Sequence, residues 1–89
     1  MAYQQDVEIR NREGLHFRPI MQLVETAQRF ACRLFLSVED RQADARSPME
    51  LLMLVATAGT RVRVAGDGVD EREAVDSLVA LIESGFDEP

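Results

Sequence analysis

His16 is the single histidine of the chain, and it sits in the run Gly14-Leu15-His16-Phe17-Arg18-Pro19. An imidazole can act as a base, a ligand or a nucleophile, and its neighbours decide which. Here a strand-like pattern ends and a helix-like pattern begins. Pro19 falls within the first helical turn, where a missing backbone N–H costs nothing. With His16 at or near the N-cap, the free amides of Phe17 and Arg18 face its ring. Free amides and the helix dipole together make a site for phosphate. Arg18 adds a permanent cation with a planar fork of donors suited to phosphate oxygens. Positive potential there disfavours imidazolium, and a neutral ring is what a nucleophile requires. These residues therefore suit reversible phosphoryl transfer that needs no metal and no cofactor. A solvated surface histidine beside a loop is the plain alternative.

Other chemistry finds little support. Cys32 stands alone, so no intramolecular disulfide is expected, and one Cys with one His offers no metal-ligand set. The carboxylates between Asp70 and Asp76 read as charges at a helix start rather than an acid–base pair. Arg10, Arg12 and Arg18 surround His16 in sequence, either as a local positive patch or as three solvated arginines.

The elements that must position these residues follow from periodicity. Val7 and Ile9 alternate with Asp6, Glu8 and Arg10, a strand with one buried face that Gly14 breaks. Ile20, Leu23, Val24, Ala27 and Phe30 or Ala31 give an amphipathic helix over about 17–30. Leu34, Leu36 and Val38 make a second strand, and a short third one is expected around 42–45. Ser47-Pro48-Met49-Glu50 fits a capping box with Ser47 as N-cap and Pro48 at N1. The helix it opens has Leu51, Leu52, Leu54 and Val55 as its apolar side and Gly59 as its stop. Val62 and Val64 mark a fourth strand, followed by a turn at Gly66-Asp67-Gly68. A last helix starts at Asp70 with Glu73 as reciprocal cap, buries Val75, Leu78, Val79 and Ile82, and has Gly85 as C-cap. The order β-α-β-β-α-β-α suits an α+β open-faced sandwich, a four-stranded antiparallel or mixed sheet with helices on one face. No linker divides the chain, so one domain over 1–89 is expected, with 1–5 and 86–89 fraying.

Composition narrows the function classes. With 89 residues, 46% of them hydrophobic and 29% charged, the chain has the make-up of an ordinary globular domain, with room for a shallow surface site but not a deep cleft. The net charge is −6, and acidic residues crowd the stretch from Asp67 to Glu88, which argues against nucleic-acid binding. The longest apolar run, Leu51 to Ala56, is far short of the ~20 residues that span a bilayer, so membrane insertion is not expected. The first residues lack the basic and apolar parts of a secretion signal. Cytoplasm is the expected compartment.

The run from Gly14 to Pro19 resembles the phosphorylation signature of HPr, the histidine phosphocarrier of the phosphoenolpyruvate-dependent sugar phosphotransferase system. Element order, chain length, Ala45-Arg46-Ser47 before a short helix, and Ala58-Gly59-Thr60 before a Val-rich strand extend the resemblance over about 7–83. It implies an antiparallel sheet with three helices on one face. It implies a carrier, a substrate of phosphotransfer enzymes and not itself an enzyme. His16 would take a phosphoryl group on Nδ1 from Enzyme I, Arg18 would stabilise it, and an EIIA-type domain would receive it. Ser47 matches the family's regulatory serine, the target of an HPr serine kinase/phosphorylase. Phe17, Met21, Pro48, Met49, Leu52 and Met53 would form the partner surface around His16. Phe17 and Ile20 stand where the family usually has small residues, and Pro48 where it usually has a large aliphatic or aromatic one. Phe17 and Pro48 favour the alternative of a regulatory paralogue that binds transcription factors or metabolic enzymes.

Overall fold

The computed structural model describes residues 2–88; Met1 and Pro89 lie outside the described residues. Four strands, β1 (Tyr3–Glu8), β2 (Arg33–Val38), β3 (Arg41–Asp44) and β4 (Arg61–Asp67), and three helices, α1 (Phe17–Ala27), α2 (Pro48–Met53) and α3 (Glu71–Glu83), follow in the order β1-α1-β2-β3-α2-β4-α3. A 3-10 turn, Gly85–Asp87, follows α3. The sheet is antiparallel throughout, in the order β1-β4-β2-β3. β4 thus lies between β1 and β2, although two elements separate it in sequence from β2 and four from β1. The alternation seen in sequence sets the register: Val7 lies opposite Val62, and Leu36 lies opposite both Val64 and Ala43. These side chains share one face and are buried there. Against them pack Ile20, Leu23, Val24 and Ala27 of α1, Leu51 of α2, and Ala74, Val75, Leu78, Val79 and Ile82 of α3.

Several local expectations are corrected by the structure. Gly66 and Asp67 belong to β4, and the turn falls at Gly68-Val69-Asp70. A Cβ on Gly66 would come within 2.9 Å of Val75 Cγ2, so this glycine lets α3 lie close against the sheet. α1 ends at Ala27, short of Phe30, where Arg46 donates to the Ala27 and Phe30 carbonyls. α2 ends at Met53 well before Gly59, with Leu51 and Leu54 buried but Leu52 and Val55 exposed. Arg41 caps this end by donating to the Leu54 carbonyl at 3.1 Å.

The caps differ in detail from their sequence signatures. The Ser47 hydroxyl accepts the Glu50 N–H, as an N-cap should. The return half of the box goes elsewhere, because the Ser47 N–H already bonds Asp44 O and Glu50 Oε1 accepts from the Asp44 N–H. Asp70 precedes α3 without capping it; its carboxylate accepts the Ala31 and Cys32 amides and ties the α1–β2 connection to the start of α3. Near this helix start the Gly68 N–H donates to Glu71 Oε1.

The described ends are not frayed. Tyr3 to Gln5 pair with β4, and Phe86 is fully buried. After Gly85, which ends α3 at a φ of 70°, Phe86 and Asp87 also take positive φ values of 57° and 58°. Left-handed backbone at non-glycine residues costs on the order of 1–2 kcal/mol each. Burial of the Phe86 ring offsets that cost and turns the tail back over the molecule.

Candidate functional site

The loop that carries His16 is wound by its own backbone. Gly14 N–H bonds Asn11 O, His16 N–H bonds Gly14 O, and Leu15 N–H reaches across to Ala56 O at 2.9 Å. Gly14 has φ 69°, and a Cβ there would meet Ala56 O at 2.5 Å. Only glycine fits both the left-handed turn and the close approach. The Leu15–Ala56 bond also places the end of α2 beside the start of α1.

His16 is the N-cap of α1, in extended backbone, with no side-chain cap bond. Its ring is free for other work. Its carbonyl accepts from Ile20 N–H at 3.0 Å, Pro19 has no N–H, and the Phe17 and Arg18 amides have no protein partner among the described residues. The helix start therefore offers two amides and its dipole beside the imidazole.

The ring opens into a shallow cleft of about 300 Å3 lined by Arg12, Glu13, His16, Arg18 and Glu88. Arg10 does not line it: alternation with buried Ile9 directs Arg10 outward at the end of β1. The cleft is crossed by a carboxylate. Glu88 Oε1 lies 3.1 Å from His16 Nε2 and accepts from Asn11 Nδ2 at 3.0 Å, while Oε2 accepts from Arg18 Nη1 at 3.1 Å. The Glu88 side chain is 12% exposed, against 36% for His16 and 60% for Arg18. The His16 ring foremost, then Asn11 and the Arg18 charge, hold the Glu88 carboxyl below the usual glutamate range, against a smaller opposing effect of desolvation.

Sequence reasoning missed Asn11 and Glu88. Asn11 left no signal beyond its place before a glycine loop. Glu88 read as one more charge in an acidic tail, because the turn that returns it to His16 depends on the burial of Phe86.

The other residues expected around His16 do not line this cleft. Phe17 next to His16 is 76% exposed, Met49, Leu52 and Met53 are exposed, and so is Pro48. Met21, one turn along α1 from Phe17, is half-buried. Ser47 is half-buried and engaged as the α2 cap. Cys32 is buried at the start of β2, and desolvation, then Asp70, pushes its thiol up to about 11, which leaves it inert.

A histidine at a helix start, beside an arginine on an open α+β sandwich, is an arrangement suited to carrying a phosphoryl group. Residues 3–84 match the family model described as the PTS HPr component phosphorylation site, and the chain belongs to that family. It is 42% identical over 89 residues to the phosphocarrier protein NPr of Escherichia coli, covering 99% of each chain. To the phosphocarrier protein HPr of Cupriavidus necator it is 42% identical over 85 residues, covering 96% of each. The crystal structure of an HPr from Thermoanaerobacter tengcongensis superposes with a TM-score of 0.93 at 36% identity, covering 98% of each chain. The protein is thus an HPr-type phosphocarrier of the phosphotransferase system and not an enzyme. Among the described residues, no helix is long and apolar enough to cross a membrane.

Proposed function

We propose that His16 accepts a phosphoryl group from the phosphohistidine of Enzyme I and passes it to an EIIA-type domain in the cytoplasm. The observation that carries this reading is the placement of the imidazole at the α1 N-cap, with two unused amides and the Arg18 guanidinium alongside. The amides and Arg18 stabilise the charge on the phosphoryl oxygens in flight and in the phosphorylated carrier. No deep pocket is required, because each partner brings its own active site to an exposed histidine. Phe17, Pro48, Met49, Leu52 and Met53 offer an apolar rim for those partners, with Met21 at its edge. Methionines suit a surface that meets more than one shape.

The test is incubation with Enzyme I and phosphoenolpyruvate followed by intact mass. The parent gains one acid-labile phosphoryl group, and His16→Ala gains none. Equal labelling of the two proteins would remove His16 from the reaction.

The large exposed ring of Phe17 favours a second reading, a regulatory paralogue with its own protein partners. Transfer from phosphorylated protein to EIIA-type domains separates the two. A general carrier donates rapidly to sugar-specific acceptors, whereas the paralogue keeps its phosphate in their presence.

A further inference from the structure

The Glu88 carboxylate meets Nε2 of His16, and that choice of nitrogen has chemical content. An ionised carboxylate only accepts hydrogen bonds. Three groups converge on it: His16 Nε2 and Asn11 Nδ2 at one oxygen and Arg18 at the other. Asn11 supplies an independent indication of its state. This side chain is buried and spends both amide hydrogens on acceptors, Gly14 O at 2.8 Å and Glu88 Oε1, while its Oδ1 has no partner among the described residues. Leaving a buried oxygen unpaired costs free energy. The reverse orientation would set that oxygen against two acceptors. The charged groups facing His16 are Glu88 from the tail, Arg18 from α1, and Arg12 and Glu13 from the loop. Of these, Glu88 is the one that contacts a ring nitrogen.

We propose that Glu88 is a positioning residue: it accepts Nε2–H and so keeps the neutral imidazole in the tautomer whose lone pair is on Nδ1. The other tautomer would turn an Nε2 lone pair against a carboxylate oxygen at 3.1 Å. A carboxylate that orients a reacting histidine through its second nitrogen is a general device. This inference rests on His16 being the phosphoryl acceptor. In the step itself, the Nδ1 lone pair forms the new P–N bond as the bond from phosphorus to the donor's nitrogen breaks. That electron pair returns to the donor. Nε2 keeps its hydrogen throughout, so the same carboxylate holds the ring before and after transfer.

The experiment compares the parent with Glu88→Gln and Glu88→Ala, using 15N–1H long-range spectra of unphosphorylated protein at alkaline pH and the rate of His16 phosphorylation by phospho-Enzyme I. The parent is expected to show a protected Nε2–H and a lone-pair-bearing Nδ1. In Glu88→Ala the Nε2–H becomes freely exchanging and the kcat of Enzyme I with the carrier as substrate falls on the order of tenfold, while its KM for the carrier is unchanged. Glu88→Gln lies between, because its carbonyl still accepts but its amide has no fixed orientation. Matched unfolding midpoints establish that both variants fold. The proposal is overturned by an Nδ1–H ring in the parent or by an Nε2–H equally protected in Glu88→Ala. A faster rate in Glu88→Ala would also overturn it, because Glu88 would then be an obstruction. If the parent takes no phosphate while the spectra agree, the acceptor reading fails and the tautomer assignment stands.

Discussion

Arg18 engages Glu88 through a single guanidinium nitrogen, so the rest of its fork is available to an incoming phosphoryl group. A lysine in its place would keep the charge but lose the planar geometry. Arg18→Lys is therefore expected to slow phosphoryl transfer by about tenfold, at the low end for loss of a charge-stabilising donor because the group is exposed. The unfolding midpoint should not move, and equal rates at matched stability would show the guanidinium to be dispensable. Gly14 makes a different demand at the same scale. Gly14→Ala combines a positive φ with a 2.5 Å approach to Ala56 O, and is expected to lose about 1–3 kcal/mol. Because the loop carries His16, labelling of His16 should fall as well. Urea denaturation together with the phosphorylation assay checks both.

At the scale of elements, short helices depend on their ends. α2 has only six residues, too few for propensity to sustain it. Ser47→Ala removes its hydroxyl cap and is expected to cost about 1 kcal/mol. Ser47→Asp retains the cap and should match the parent in stability. If Ser47 is also a target of a serine kinase, the added charge should weaken phosphorylation of His16 by phospho-Enzyme I. Unchanged stability and unchanged rate in Ser47→Asp would leave Ser47 as a cap alone.

Asp70 works between elements, joining the α1–β2 connection to α3. Its carboxyl is held below the ordinary value of 3.8, first by the Ala31 N–H and also by the Cys32 amide and thiol, with desolvation opposing. A depressed folded value means that this contribution is complete above 3.8 and is lost as pH falls through the folded value. Asp70→Asn is expected to lower stability at neutral pH and to flatten the acid side of the stability–pH curve. Urea midpoints taken from neutral to acid pH would decide it, and parallel curves for the two proteins would refute it.

For the whole molecule, the tail links core and site. Phe86 is fully buried, and two residues later Glu88 reaches His16 and Arg18. Phe86→Ala is expected to cost about 3–5 kcal/mol, a large share of the stability of a domain this size. It should also release Glu88 and so reproduce the spectral change of Glu88→Ala. Thermal unfolding and the His16 Nε2–H signal, measured on one sample, test both halves.

Much of this was legible in the residues themselves. Alternation at Val7–Ile9, Leu34–Val38 and Val62–Val64 is a local property, because a strand with one buried face must repeat every two residues. The stripes of α1 and α3 are local for the same reason, and Gly14-Leu15-His16-Phe17-Arg18-Pro19 carries its helix start within one turn. Whatever depended on which distant groups become neighbours stayed hidden. Gly66 reads as a turn residue until α3 is seen against it. Asp70 looks like a helix cap, yet the Ala31 and Cys32 amides, brought near by tertiary packing, claim its carboxylate. Leu52 and Val55 look like core because their hydrophobicity is visible and the short length of α2 is not. Glu88 is separated from His16 by 72 residues. Its place at the imidazole follows from a turn that only the burial of Phe86 makes favourable, and burial is a property of the assembled core rather than of any local stretch of chain.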